Sequence, residues 1–255
     1  MQKPEQVIDR ITITDVTLRE FGQNVPTTHL HLFTPEIRCN IALELMKLGF
    51  GHLEIFSCIH PRIAPAMHAE AIRQIADKLG RVDGVHVITL VPNLAGYRTF
   101  RRLGLGSDGY HHTLGIFFSA VEAHNQINLG RSIKETLSEY RRILKDAALR
   151  EIRVVAYVSA AFGYREPTKG SIIRTDPVEI SQHIDLWFDL GARTVTLSDL
   201  QGVASPDETK RIWSEILELR KGRDLDNLGY HPHHVSGGAA LANSRAAFDL
   251  GLRRF

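Results

Sequence analysis

Cysteine is scarce in this chain: Cys39 and Cys58 are the only two among 255 residues. Two thiols cannot build the disulfide framework of a small secreted domain, and their scarcity fits a reducing compartment. An excess of one charge is missing too. Lys and Arg number 31 against 29 Asp and Glu, a formal net charge of +2, and no dense basic block marks a nucleic-acid surface. No apolar run reaches the ~18 residues of a membrane-spanning helix, and the opening MQKPEQVIDR is too polar for a signal peptide. Low-complexity linkers are absent. The expectation is a soluble cytoplasmic protein with neither nucleic acid nor membrane as partner. At 43% hydrophobic content the chain can bury one large core, expected as a single domain over 1–255.

What is present is an alternation. Strand-like runs cover Ile11–Val16, His52–Ser57, Val85–Val91, Thr113–Ser119, Ile152–Ser159, Thr194–Asp199 and Leu228–His233, and an eighth begins at Arg253. Most are near-continuous apolar runs, as parallel strands buried on both faces require. Segments of helical spacing separate them, with recognisable starts: Thr34 before Pro35, then Ser132/Glu135, Asp176/Glu179 and Ser205/Glu208 at capping-box spacing. Gly49, Gly104, Gly191 and Gly251 follow helical segments where a left-handed cap is needed. The segment after the first strand offers only Gly22, not the glycine-rich loop of a dinucleotide-binding sheet. The rhythm predicts a TIM (β/α)8 barrel, apparently truncated at strand eight, because the chain stops at Phe255 where that strand starts. The natural chain is expected to continue, or this form to be shortened.

Chemistry in such a barrel sits at the C-terminal ends of its strands. Two motifs lie there: Leu18-Arg19-Glu20-Phe21-Gly22-Gln23 after strand one and His231-Pro232-His233 at strand seven. Residues two apart on a strand share a face, so the two imidazoles point together. Glu20 is the best carboxylate to join them, since odd-numbered strands share an interior layer, and Asp15 is the runner-up. Oxygen and nitrogen donors without thiolate favour Mg²⁺ or Mn²⁺, with Zn²⁺ and Fe²⁺ as alternatives. Arg19 keeps its charge and suits a developing oxyanion. Glu54 lies inside the apolar run Leu53-Glu54-Ile55-Phe56 and needs a partner, for which Arg19 on the neighbouring unit is available. Asp199 ends strand six and serves equally as a substrate contact or as a cap for the following turn. His29, His31, His111 and His112 read as loop residues.

These motifs together resemble the DRE-TIM metallolyase superfamily, and most closely its 3-hydroxy-3-methylglutaryl-CoA lyase branch. The similarity rests on Leu18-Arg19-Glu20 with Gln23, on Glu54, on His231/His233 followed by Gly238-Ala239-Ala240-Leu241-Ala242-Asn243, and on Asp199 through Pro206. Val91 through Tyr97, Ser119 through Ser132 and Tyr157-Val158-Ser159 are similar to lyase segments rather than to those of condensing synthases. The resemblance implies that Glu20, His231 and His233 hold a divalent metal, that Arg19 is the catalytic cation held by Glu54, and that Gln23 and Asp199 stand near the substrate. It implies cleavage of a 3-hydroxy-3-alkylglutaryl-CoA to acetyl-CoA and a 3-oxo acid, with an acyl-CoA as the small-molecule partner.

Several positions depart from the branch. Glu20 stands where the lyases carry Asp, and Phe21 stands where glycine is usual, which predicts a narrowed or reshaped site. His234 replaces an Asp, and Tyr164-Arg165-Glu166-Pro167 replaces the usual sequence after strand five. The glycine-rich loop after strand eight, with the lyases' cysteine and a metal-shell asparagine, is absent from the 255 residues. Two other readings therefore stand beside the lyase: condensation of acetyl-CoA with a 2-oxo acid, and an inactive barrel that binds an acyl-CoA. An open barrel edge favours association, so a homodimer or larger assembly is expected.

Overall fold

The computed structural model describes residues 11–235 and 238–255, so the opening MQKPEQVIDR lies outside the described residues. Its strands are β1 (Thr14–Asp15), β2 (His52–Ser57), β3 (His86–Leu90), β4 (Thr113–Ser119), β5 (Val154–Ser159), the short pair β6 (Tyr164–Arg165) and β7 (Ile172–Ile173), β8 (Thr194–Asp199) and β9 (Leu228–Pro232). Helices follow as α1 (Thr17–Asn24), α2 (Pro35–Lys47), α3 (Ala69–Leu79), α4 (Leu94–Arg102), α5 (Glu122–Leu129), α6 (Ile133–Leu149), α7 (Pro177–Asp189), α8 (Pro206–Leu219) and α9 (Ala240–Asp249). Among the described residues no helix is long and apolar enough to cross a membrane.

Local chemistry explains most helix starts. The Thr34 hydroxyl accepts from the Ile37 amide ahead of Pro35, and Ser132/Glu135 and Ser205/Glu208 close full capping boxes. Asp176 departs from the expected box: it accepts from the Val178 amide, two residues on rather than three. Gly49, Gly191 and Gly251 have φ of 94°, 93° and 102°, a conformation that lets each helix end turn back toward its next strand.

The long strands form one parallel sheet in the order β1-β2-β3-β4-β5-β8-β9, each strand beside its successor in that series. This is the right order for a barrel, and the sheet curls toward closure. The expected eighth strand is represented by bridges alone. Arg254 pairs in parallel with Thr12 on one edge and with Gly229 on the other. Backbone bonds Thr12 N–Arg253 O and Thr14 N–Phe255 O, both 2.7 Å, and Tyr230 N–Arg254 O, 3.0 Å, tie those bridges down. The last three residues thus join both sheet edges. The antiparallel pair β6–β7 was not expected; it rises from the loop after β5 and is held by Gln201, whose Oε1 accepts from the Arg165 amide at 2.6 Å.

The core lies between sheet and helices. β2 is buried over five of its six residues; Trp187 of α7 packs on Phe118 of β4 and Trp213 of α8 on Tyr230 of β9, both tryptophans fully buried. His112 lies in the loop before β4, as expected, but is buried there. It is 2% exposed, lies stacked on Phe56 with ring centroids 5.6 Å apart, and its Nδ1 is 3.1 Å from Thr89 Oγ1. Both cysteines are buried, and burial pushes the Cys58 thiol up to about 12, which makes it inert as a nucleophile.

Candidate active site

A cavity of about 230 Å³ opens at the C-terminal ends of the strands. Its wall takes Arg19, Glu20 and Gln23 from α1, Glu54 and Ser57 from β2, Tyr157 from β5, and His231 and His233 from β9 and just beyond. The first motif is therefore helical, where the sequence suggested only a strand end. Helical spacing puts Arg19 and Gln23 on one face, and Arg19 Nη1 donates to Gln23 Oε1 at 3.1 Å. Gln23 in turn donates to Ser57 Oγ at 3.1 Å, fixing α1 to the end of β2.

Arg19 is the best-held charge of the pocket. Its Nε donates to Glu54 Oε1 at 2.5 Å, and its Nη1 also donates to Glu20. Burial opposes the guanidinium charge, yet Glu54 and Glu20 outweigh it and raise its pKa above the ordinary arginine value. Nη2 has no partner among the described residues and can take an anionic oxygen. Glu54, 1% exposed, receives a second donor that sequence reasoning missed: Tyr157 O–H at 2.5 Å. Burial and the Glu54 carboxylate push the Tyr157 pKa well above its ordinary value, so the phenol stays a donor. The one sequence signal was an aromatic at an inward position of a strand otherwise made of small and branched residues.

The two imidazoles face each other with centroids 4.7 Å apart. Burial, then His233 and Arg19, depress His231 to about 4. His233 is also lowered by burial, with Glu20 acting in the opposite direction. Both are neutral near neutral pH, the form that binds metals. Two neutral imidazoles and a carboxylate on one wall fit a divalent cation in their chemistry. They are not gathered into a ligand set, for among the described residues no three His, Cys, Asp or Glu side chains come close enough to hold an ion. Glu20 has turned onto Arg19.

Three expectations change. Asp199 does not line the pocket; its carboxylate accepts from the Val203 and Ala204 amides at 2.9 and 3.0 Å, so it caps the turn before α8. Its carbonyl also accepts from the His233 amide at 3.0 Å, so Asp199 helps to position that histidine, and its carboxylate charge favours the charged imidazole. Asp15 accepts from the Thr17 amide and hydroxyl at 3.1 and 3.0 Å and is likewise a turn residue. Phe21 does not narrow the pocket. It is 53% exposed on the outer side of α1, edge-on to Phe33 at 4.8 Å.

Sequence comparison decides the family, since the model of the HMGL-like family matches residues 10–255. The chain belongs to the HMGL-like family. It is 30% identical over 221 residues to a hydroxymethylglutaryl-CoA lyase of Pseudomonas mevalonii, covering 86% of this chain and 67% of that one. With a hydroxymethylglutaryl-CoA lyase of Bacillus subtilis it shares 27% over 246 residues, 96% of this chain and 75% of the other. The solved structure of an HMG-CoA lyase from Bacillus subtilis superposes with a TM-score of 0.80 at 26% identity, over 97% of this chain and 76% of that chain. This HMGL-like protein is thus a lyase-like enzyme, and it spans about two thirds to three quarters of those relatives' lengths.

Proposed function

We propose that this HMGL-like barrel is a divalent-metal-dependent carbon–carbon lyase that cleaves a 3-hydroxy-3-methylglutaryl-CoA-type thioester to acetyl-CoA and a 3-oxo acid. The observation that carries the reading is Arg19. It is a guanidinium fixed on one side by Glu54, Glu20 and Gln23 and left with a free Nη2 in a pocket that also holds His231 and His233.

Cleavage breaks the bond between C2 and C3 of the acyl chain. The electron pair moves onto the thioester carbonyl as an enolate, while the tertiary hydroxyl loses its proton and becomes the ketone of the departing acid. Protonation of the enolate at C2 then gives acetyl-CoA, so the proton lost by the hydroxyl is balanced by the one gained at C2. Arg19 Nη2 stabilises the enolate oxygen, a contact that strengthens as charge develops. Glu54 and Tyr157 keep the guanidinium from turning away, so little reorganisation is needed at that moment. Glu20, His231 and His233 would hold the metal, and the bound ion would fix the hydroxyl and carboxylate oxygens and acidify the hydroxyl. Glu20 must leave Arg19 to do so, which frees Nη1 for the substrate as well.

The test is acetyl-CoA release from 3-hydroxy-3-methylglutaryl-CoA with Mg²⁺ or Mn²⁺ and with chelator. We expect metal-dependent release that falls about 10²–10³-fold in Arg19→Ala, the scale of losing one oxyanion donor, and that disappears in His233→Ala. Release unaffected by chelator would refute the metal assignment. No release, with acetyl-CoA consumed in the presence of a 2-oxo acid, would replace cleavage by condensation.

A further inference from the structure

A second and larger cavity, about 590 Å³, lies at the opposite end of the barrel. Its lining comes from the starts of the strands: Thr14, His52, His86, Thr113 and Thr194, with Arg153, Arg193 and Arg254 around the mouth. Val16, Tyr157 and His231 face both cavities and form the partition between them. Barrel interiors are normally filled by layers of Val, Ile and Leu. Here four threonines, the three above and Thr196, replace much of that filling and leave a polar space within the usual range for a small-molecule site.

The charged side chains of this space are mainly cationic. Among the described residues Arg153, Arg193 and Arg254 form no ion pair. Arg153 Nη1 lies 2.8 Å from His86 Nδ1, and Arg254 Nε donates to the Asp226 carbonyl. Among the described residues the one carboxylate side chain on the wall, Asp224, is taken by Arg220 at 2.9 Å. Glu151 shares a neighbouring groove with Arg153 and Arg193 but pairs with neither. His52 and His86 sit with ring centroids 4.7 Å apart. Burial, then His86, Arg254 and Arg153, drive His52 down to about 4, and burial, then Arg153 and Arg254, lower His86. Three guanidinium groups line one polar cavity, and among the described residues no carboxylate side chain pairs with any of them.

We infer that the N-terminal mouth of the barrel is a binding site for a multiply charged oxyanion of the phosphate class, separate from the catalytic pocket. Arg153 and Arg193 are the principal contacts, since a planar guanidinium matches two phosphate oxygens at once. His52 and His86 form the inner wall, as neutral donors that gain from an adjacent anion. The inference does not depend on the lyase reading, because none of these four side chains lines the catalytic pocket.

Calorimetric titration of the full chain with inorganic pyrophosphate at constant ionic strength tests it, alongside NMR of the His52 and His86 ring resonances assigned by His52→Gln and His86→Gln. Saturable binding should move both histidine signals, and Arg153→Gln or Arg193→Gln should each weaken it about tenfold. A parallel titration with ADP separates the sources: tighter binding than pyrophosphate makes the ligand a nucleotide, weaker binding a simpler phosphate. Absence of saturable heat, or saturable binding that leaves both histidine signals in place, would overturn the inference. If an arginine variant fails to fold, the histidine shifts in the unaltered protein still decide.

Discussion

Replacing Glu54 by Gln tests the core of the candidate site by its stability as well as by its chemistry. Glu54 is 1% exposed and Arg19 14%, so water screens their attraction little. The carboxylate accepts from Arg19 Nε and from the Tyr157 hydroxyl, each at 2.5 Å. A glutamine keeps the volume but has one acceptor oxygen for two donors, and its amide N–H groups would confront them. The guanidinium then stays buried without that counter-charge, and breaking one side of a buried pair costs about 3–5 kcal/mol. Glu20 retains part of the compensation through Nη1, so we expect the lower end, about 3 kcal/mol. In a chain of this size that lowers Tm by about 6–12 °C. Tyr157→Phe removes one charge-assisted hydrogen bond and should cost about 1.5–3 kcal/mol. The double variant should cost less than the sum, because both changes act on one network. Denaturant unfolding of the four proteins gives the cycle. A Glu54→Gln protein that melts within about 2 °C of the parent, or costs that add without coupling, would refute the account of Glu54 as the anchor of Arg19.

Two further outcomes follow from other places in the fold. Burial lowers the His112 pKa from 6.5 to about 3, so the unfolded chain takes up a proton at a pH where the folded chain does not. That stability is present above 6.5 and is lost as pH falls toward about 3; between about pH 7 and pH 5 the loss is about 2 kcal/mol. His112→Gln should flatten the acid side of the stability profile by that amount, measured by urea unfolding at each pH, and an unchanged slope would remove His112 as its cause. Gly96 in α4 has no room for a side chain, because a Cβ would lie 2.3 Å from the Cys58 carbonyl oxygen. Gly96→Ala should destabilise by about 1–3 kcal/mol despite alanine's better helix propensity, and a more stable variant would contradict the packing of α4 on the end of β2.

Much of this protein was legible in its sequence because the relevant physics is short-range. Short runs rich in apolar and β-branched residues set β2, β4 and β8 to the residue, since such residues fit a strand that is buried on both faces. The capping boxes at Ser132 and Ser205 and the glycines after α2, α7 and α9 are decided within a few residues. The shared face of His231 and His233 follows from strand geometry, and the need of Glu54 for a cation follows from burial of a carboxylate in an apolar run. What only the tertiary structure decided are contacts between distant residues. Tyr157 meets Glu54 across 103 positions, and no local pattern could name it as the second donor. Asp199 had two uses open to it, and the amides of Val203 and Ala204 took its carboxylate once the turn before α8 formed. Phe21 looked like a residue of the site until the direction of α1 turned it outward onto Phe33. Arg254 links the two edges of the sheet because β1 and β9 are brought within bridging distance. The same curvature gathers Arg153, Arg193 and Arg254, far apart in sequence, around one cavity. Composition and spacing state what each segment can do alone; which donors, charges and edges finally meet depends on how the whole sheet curls.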